Sequence, residues 1–509
     1  VSCTLIAALQ NPTLFAHPVT QFNLIETHIS WVLLTGEFAY KIKKPVDFGF
    51  LNFTTLEARK HFCEEELRLN QRLAADLYLE VLPISGSPDK PQLGGAGQPM
   101  EYAIKMRQFP QENLLNAVQA RGELTAAHID DLAAQIADFH RKTPPVAANH
   151  PLCSVAAICA PMWQNFAQIE PLLSEEADKA QLAALKGWMQ ASISRLTPIL
   201  AERGANGKIR ECHGDLHLGN AILRESGAVA LFDCIEFNEE FRLIDQALDA
   251  AFLAMDLEDR GLNALARRFT NAWLEHSGDW QALQLLPLYK AHRALVRAKV
   301  GLFRLGQEQD AAQREAILAQ YRSYIALAES YSAIPAPFLV LMHGLSGTGK
   351  SHLARQLADA SGAICLRSDV ERKRLFADKK RRYSEQANQQ TYAHLHSLAE
   401  MALLTGYSVI IDAAYLKRSE RDTAKKIAQS IGAAWLILAC EAPLALIEQR
   451  ICARKQLGID ASDADLAVVC AQQRFMQALA ADEKVQSLHL DTAEDSSDLL
   501  KRLRKHLAF

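Results

Sequence analysis

Apolar and polar positions follow two different rhythms along this chain, and the change falls near residue 333. Between about residues 20 and 110, short runs such as Ile29–Leu34, Phe38–Lys43 and Tyr102–Phe109 read as strands. One helical stretch, Leu56–Ala74, interrupts them. From about residue 125 to 332 the spacing is mostly helical. The exception is Arg210–Asp233, where short apolar runs sit between polar residues. A strand-rich small lobe up to about residue 110, followed by a helical lobe, predicts an α+β domain. The stretch Pro83–Pro99 is rich in Pro, Gly and Ser and reads as a loop between strands. Its Gly94, Gly95 and Gly97 match no phosphate-binding fingerprint.

Pro335 and Pro337 cannot continue the helical stretch Gln313–Ser332, so residues 333–337 are predicted to be a linker. That gives a first domain over 1–332 and a second over 338–509. Directly after the linker, Phe338–His343 is an apolar run of buried-strand type. Further strand patterns at Ile364–Arg367, Ser408–Asp412, Ala434–Ala439 and Ser487–Leu490 alternate with helical ones such as Gln386–Leu404 and Leu444–Lys455. Alternation of this kind predicts an α/β domain with a parallel sheet covered on both faces.

Composition narrows the class of protein. At 49% hydrophobic and 22% charged, the 509 residues suit sizeable cores. The net charge of −4 argues against a broad nucleic-acid footprint. The ten cysteines are scattered, with no Cys-x-x-Cys and no zinc-finger spacing, as in a reducing compartment. The first nine residues lack the basic run of a signal peptide, and no apolar run reaches membrane-span length. A cytoplasmic protein is expected.

The chemistry of the second domain starts at Gly344, Ser346, Gly347, Thr348, Gly349, Lys350 and Ser351, a Gly-x-x-x-x-Gly-Lys-Ser loop between strand and helix. Glycines let backbone N–H groups turn onto phosphate oxygens, and the following helix aims its positive end at them. Lys350 would reach the β- and γ-phosphates of ATP, and Ser351 would ligate Mg²⁺. Asp369 and Arg372 follow the second strand: Asp369 is either a base for an attacking hydroxyl or a helix cap, and Arg372 a clamp for substrate or phosphate. Asp412 ends an apolar strand and suits a Mg²⁺ or substrate contact, or a plain strand-end turn. Arg450 and Arg454 share one helix face, either closing over phosphates or forming a solvated basic face.

The first domain's sharpest pattern is His213, Gly214, Asp215, then His217 and Asn220, then an apolar strand ending in Asp233. Phosphoryl transfer needs one carboxylate to orient the attacking hydroxyl, with an amide oxygen and a second carboxylate to hold Mg²⁺. Asp215 is the candidate base, and Asn220 and Asp233 are the candidate metal ligands. Upstream, Lys41 and Lys43 point to one face of a strand, and one of them would ground ATP phosphates and pair with a helix Glu. Of Glu64, Glu65 and Glu66, the distance from the next strand favours Glu65. Met106 to Phe109 fall where a hinge between lobes is expected.

The second domain resembles the P-loop small-molecule and polynucleotide kinases and the Zeta-toxin-like kinases. That resemblance implies Asp369 as base, Arg372 as substrate clamp, Asp412 at the third strand end and a lid bearing Arg450 and Arg454. The first domain resembles the aminoglycoside phosphotransferase/choline kinase-like family, a branch of the protein-kinase-like fold. It implies Asp215 as base, Asn220 and Asp233 on Mg²⁺, and Lys41 on ATP. The sequence departs from a glycine-rich phosphate loop at Thr35, Gly36 and Glu37. The tandem order resembles bacterial bifunctional aminoglycoside phosphotransferase/ATP-binding proteins.

The expected activity is ATP- and Mg²⁺-dependent phosphoryl transfer to hydroxyls of small molecules. Two alternatives stand beside it. One is a regulatory, ATP-sensing protein with one active domain. The other is a polynucleotide 5′-hydroxyl kinase using the basic residues Arg372, Lys373, Arg374, Lys379, Lys380, Arg381 and Arg382. Resistance to aminoglycosides is expected only if an acidic pocket lines the first cleft. Asp245, Asp249, Asp256, Glu258 and Asp259 are available, but scattered acids on helices are usually solvated.

Overall fold

Strand pairing begins with the first apolar runs. In a computed structural model of the chain, residues 3–305, 308–378, 381–382, 384–457, 464–494 and 496–507 are described. By internal contacts they form two units. One holds Val1–Leu257 with His292–Tyr324, and the other Glu258–Ala291 with Ile325–Phe509.

The first unit opens with a six-stranded antiparallel sheet: β1 (Asn23–Glu26), β2 (Ser30–Leu34), β3 (Phe38–Lys43), β4 (Tyr78–Ser87), β5 (Lys90–Leu93) and β6 (Glu101–Arg107), in the order β1-β2-β3-β6-β4-β5. The expected loop at Pro83–Pro99 is therefore partly strand. Pro83 pairs with Tyr102 of β6, and pairing to β5 starts only at Ile84, so the missing N–H sits where that ladder ends. The helix Leu56–Ala74 crosses one face of this sheet. Thr55 caps it by accepting the Ala58 N–H at 3.1 Å, and it buries Cys63, Glu66, Leu69, Asn70 and Ala74 at helical spacing. Tyr78, Ile104 and Met106 fill the core beneath.

The rest of the unit is helical and carries two small hairpin-like pairs. β7 (Ile209–Glu211) pairs with β10 (Leu243–Asp245), and β8 (Ala221–Leu223) pairs with β9 (Val229–Leu231). Asp131 of the helix Ala126–Lys142 accepts the Val229 N–H at 2.8 Å and anchors the second pair.

The second unit is built on a parallel sheet of β11 (Phe338–His343), β12 (Ile364–Arg367), β13 (Val409–Asp412), β14 (Ala434–Glu441) and β15 (Ser487–Asp491), in the order β12-β13-β11-β14-β15. β11 is buried along its whole length, as a central strand covered on both faces must be. Its carboxyl end leads into the glycine-rich loop and the helix Lys350–Ser361.

The division differs from a single cut at 333–337. Residues 258–291, which the prolines would leave in the first domain, belong to the second unit. Asn271, on the helix Asn263–Ser277, donates to Ala363 O at 3.1 Å and accepts the Cys365 N–H at 2.8 Å. It thereby satisfies the open edge of β12, which a parallel sheet does not leave bare. Pro335 and Pro337 lie beyond the end of the helix Ala311–Ser330 and do not coincide with the boundary between the units.

Candidate active sites

In the first unit, the lysine strand and the buried helix meet through charge. Lys41 Nζ lies 2.7 Å from Glu66 and 2.8 Å from Asp233. Lys43 Nζ lies 2.7 Å from the other Glu66 oxygen and also pairs with Glu236. The expected partner, Glu65, is one position round the helix and faces outward, pairing with Arg68 at 2.8 Å. The helix partner is therefore Glu66. Helix geometry decides this: Glu66 shares the buried stripe of Cys63, Leu69 and Asn70, whereas Glu65 leaves it. Burial alone would raise the Glu66 carboxyl, but Lys41 and Lys43 bring it down to about 2. Burial works against the Lys41 ammonium too, yet Asp233 and Glu66 hold its pKa well above the usual range.

Asp233 follows β9 with a left-handed backbone, φ 65°. An aspartate in this region stores of order 1 kcal/mol of strain, which the neighbouring bonds must outweigh. Asn70 accepts the N–H of the next residue, Cys234, at 2.9 Å, and Asn220 accepts the Phe232 N–H through its backbone carbonyl at 3.0 Å. Pinned on both sides, the Asp233 carboxylate turns toward Lys41 while remaining partly open to solvent.

The loop carrying Asp215 is held from below. Gly214 has φ 87°, and a Cβ there would lie 2.7 Å from Phe241 O, so only glycine fits. The His213 and Gly214 N–H groups donate to the two oxygens of buried Asp249 at 3.1 and 2.9 Å. His140 reaches the same carboxylate at 3.0 Å, and Asp256 accepts the Leu218 N–H at 3.0 Å. Asn220 Nδ2 donates to Asp215 Oδ2 at 3.0 Å, and His217 Nε2 lies 3.3 Å from that oxygen. Partial burial would raise the Asp215 carboxyl, but His217 and Arg297 outweigh it and hold it well below the usual carboxylate range. Burial likewise opposes protonation of His217, and Asp215 outweighs it and raises the imidazole pKa.

Sequence reasoning missed four of these parts: Glu66, the pairing of His217, and the anchoring acids Asp249 and Asp256. The acids had been expected to be solvated, but they are buried and committed to backbone N–H groups. Asp245 is buried against Arg203 at 2.6 Å, and Glu258 pairs with Lys290 at 2.8 Å. A signal was present, since Asp249 and Asp256 are the two polar residues of the otherwise apolar stretch 247–257 in the helix Gln246–Asp259. Met106 lies in β6 as a core side chain. Neither turn flanking β2 has a glycine-rich pattern. Gln108 accepts the Thr35 and Gly36 N–H groups at 3.0 and 2.9 Å.

In the second unit the predicted residues line one cavity of about 990 Å³: Ser346, Gly347, Gly349, Lys350, Ser351, Asp369, Arg372, Asp412, Arg450 and Arg454. Gly344 sits behind them with φ 135°, where a Cβ would lie 2.4 Å from Cys440 O. Thr348 is buried and turns its hydroxyl onto Leu345 O at 2.8 Å. Lys350 Nζ donates to Gly344 O and Leu345 O at 2.9 and 2.7 Å, which packs the ammonium against the loop. Burial pushes its pKa down, against the opposing pull of Asp412. Among the described residues no side chain of the N-cap position, Gly349, caps the helix Lys350–Ser361, and its first residues, Lys350, Ser351 and His352, line the cavity, an arrangement that suits an anion.

Asp369 sits in the first turn of the helix Ser368–Leu375, whose N-cap position is Arg367. Asp369 is therefore a first-turn residue and not the N-cap. Asp412 ends β13, buried, 3.5 Å from Arg367. Arg450 donates to Thr492 Oγ1 and O at 2.9 and 2.7 Å, and Arg454 to Ala464 O at 2.6 Å. Gln472, unremarked in the sequence, accepts the Ser346 N–H at 2.8 Å. Several of the basic residues after Asp369 are spent internally. Arg374 pairs with Glu371, and Arg382 is buried on Phe376 O at 3.1 Å. Lys379 and Lys380 lie outside the described residues.

None of the ten cysteines is in a disulfide, and no described helix is long and apolar enough to cross a membrane.

The phosphotransferase enzyme family profile fits residues 57–286, and an AAA domain profile fits residues 339–479. The uncharacterized protein Rv2004c of Mycobacterium tuberculosis is 31% identical over 472 residues, covering 90% of this chain and 92% of the relative. The uncharacterized protein Mb2027c of Mycobacterium bovis matches to the same extent. Among solved structures, a choline/ethanolamine kinase family protein from Mesorhizobium loti covers 64% of this chain and 97% of its own, with 10% identity and a TM-score of 0.39. The Mycobacterium tuberculosis APS kinase CysC, solved with AMPPNP and APS, covers 34% and 99%, with 21% identity and a TM-score of 0.27. The chain belongs to the family shared with these mycobacterial relatives, and it is itself an enzyme of the phosphotransferase class in which an aminoglycoside phosphotransferase-like domain is followed by a P-loop domain of kinase type.

Proposed function

We propose that the chain holds two separate ATP·Mg²⁺ sites and that each transfers the γ-phosphoryl group to a hydroxyl of a small molecule. The observation that carries this is the convergence of a full set of groups in each unit. Lys41, Asp233, Asn220 and Asp215 gather in the first, and Lys350, Ser351, Asp369 and Asp412 in the second.

The donor sets suit the ligands. In the first unit Asn220 and Asp233 offer hard oxygen donors and Lys41 a phosphate partner. In the second, Ser351 and Asp412 offer the oxygens, with Lys350 and the uncapped helix for the phosphates. Bound Mg²⁺ would neutralise charge building on the phosphoryl oxygens. Asp215 is held well below the ordinary carboxylate range, so it is a weak base. It orients the acceptor hydroxyl and takes the proton late, which suits a loose transition state. His217 and Asn220 fix the carboxylate for that task. In the second unit Asp369 plays the corresponding part, with Arg372 holding the acceptor side and Arg450 and Arg454 the phosphate side.

One contact favours a second reading, in which the P-loop unit senses ATP without rapid turnover. Gln472 already occupies the Ser346 N–H, a donor that phosphate binding would claim. Transfer to a nucleic-acid 5′ end is less favoured, because Arg374 and Arg382 are turned inward.

Calorimetric titration with ATP and Mg²⁺ tests the proposal. A stoichiometry of two, falling to one in Lys350→Ala and in Asp233→Ala, is expected. A stoichiometry of one, lost only in Lys350→Ala, would remove the first site and bring the sensing reading forward.

A further inference from the structure

Asp233, Lys41, Glu66, Lys43 and Glu236 of the first unit form a closed ring of charge. Lys41 Nζ lies 2.8 Å from Asp233 and 2.7 Å from Glu66, Lys43 Nζ lies 2.7 Å from Glu66, and Lys43 pairs in turn with Glu236. The backbone completes the ring, because Asp233 and Glu236 follow β9 on one short segment and both lysines stand on β3.

The ring has an open side and a shut side. The Asp233 side chain is 39% exposed and that of Lys41 14%, whereas Lys43 is 1% exposed and Glu236 5%. A ligand can therefore be received by Asp233 and Lys41. On the shut side the Lys43 ammonium lies between two carboxylates and the ring of buried Phe53, whose centroid is 4.9 Å away. Burial opposes that charge, and Glu236 and Glu66 outweigh it and hold the Lys43 pKa above the usual range.

A buried ion pair is a poor source of stability, since desolvation consumes most of its attraction. What it supplies here is a fixed geometry for the open side. Lys43 holds Glu66 whichever way Lys41 turns. The segment after β9 is gripped as well: Asn70 accepts the Cys234 N–H at 2.9 Å, Arg242 Nη1 donates to Glu236 O at 3.0 Å, and Lys43 takes the Glu236 carboxylate. If Lys41 and Asp233 leave each other for a phosphate and a metal, one tie between β3 and this segment is given up. The tie from Lys43 to Glu236 stays.

We propose that Lys43 and Glu236 are positioning residues of the first site: their buried pair keeps the Asp233 carboxylate and, through Glu66, the Lys41 ammonium at the spacing that a metal-bound nucleotide requires. The inference rests on the reading of that site as an ATP·Mg²⁺ site. It adds two residues that act through Glu66 and Asp233 and touch neither the nucleotide nor the metal.

The test uses the full chain with Lys350→Ala, so that ATP at the second site does not contribute. Calorimetry gives the Kd for ATP with Mg²⁺ and again with EDTA, and the ratio of the two is the gain in affinity that the metal brings. Lys43→Met and Glu236→Gln are each expected to reduce that gain by about tenfold or more, the usual effect of removing a group that orients a metal ligand. The double variant should lose little more than Lys43→Met, because either change already breaks the same pair. Glu236→Gln keeps size and shape, so it tests the pair even where Lys43→Met fails to fold. Lowered melting temperatures with the metal's gain intact would show a purely structural pair and overturn this inference, as would losses that add in the double variant. Both results would leave the ATP site standing. An absence of ATP·Mg²⁺ binding in the Lys350→Ala chain itself would overturn the reading of the first site and this inference with it.

Discussion

The indole N–H of Trp280 donates to the buried carboxylate of Glu371 at 3.2 Å. The two residues are 91 positions apart, and Glu371 lies between Asp369 and Arg372 on one short helix. His394, at 3.1 Å, and Arg374 complete the carboxylate's partners. The segment 258–291 thus helps fix the helix that carries the candidate base. Trp280→Phe removes one donor from a buried, charged acceptor and is expected to cost about 1–3 kcal/mol of the second unit's stability. Urea melts followed by a probe in that unit would measure it. An unchanged midpoint would mean that the bond has no energetic role.

Glu65 and Glu66 give opposite expectations. Glu66→Ala removes the buried carboxylate that Lys41 and Lys43 share, leaving each of these lysines with one partner fewer, and is expected to destabilise the first unit by about 3–5 kcal/mol. Glu65→Ala breaks a partly exposed pair with Arg68 and should cost under about 1 kcal/mol. Chemical denaturation of the two variants, run side by side, compares them directly. Equal losses would undo the assignment of Glu66.

Asp215→Asn keeps the size and the hydrogen bond to Asn220 but removes the carboxylate. A loss of about 10²–10⁴-fold in turnover at the first site is expected, the usual share of a positioned acid or base. Nucleotide affinity, read by calorimetry, should change little. A large drop in affinity with preserved turnover would move Asp215 from the acceptor to the nucleotide.

The Asp215–His217 pair sets a pH window. The folded His217 pKa is raised above 6.5, so its contribution to stability is complete below that value and is lost as pH rises through the higher, folded pKa. The folded Asp215 pKa is lowered below 3.8, so its contribution is present above that value and is lost only as pH falls through the lower one. Stability from the pair should therefore be greatest between about pH 4 and 6.5 and should decline on the alkaline side first. His217→Gln should flatten that alkaline decline in a series of thermal melts. An NMR titration placing the His217 pKa at or below 6.5 would contradict the pairing.

Regular elements with one unambiguous period were legible in the sequence. The helix Leu56–Ala74 and the strands Phe38–Lys43, Phe338–His343 and Ile364–Arg367 stand as their hydrophobic patterns imply. β4 was hidden because Pro83 and Gly86 look like loop residues, and only the six-stranded pairing shows why they are tolerated. The motif residues were legible because each chemistry demands a residue type at a fixed spacing. Their supports were not, because Asp249, Glu66 and Trp280 act across distances in sequence that no local pattern encodes. The choice between Glu65 and Glu66 turned on the 100° between consecutive helix positions. The face is set by the sheet beneath it and cannot be read from the glutamates alone.

Asn271 is made long before the strand it completes. Its partner Cys365 lies 94 positions further along, so at ordinary rates of synthesis the helix Asn263–Ser277 leaves the ribosome roughly 5–20 seconds before β12 can exist. Over that interval Phe269 and Trp273, both buried in the finished protein, await the rest of their unit. The nascent chain therefore carries an apolar helix face through the making of its own second half, because the partners of residues 258–291 lie in the part of the chain that is synthesised later.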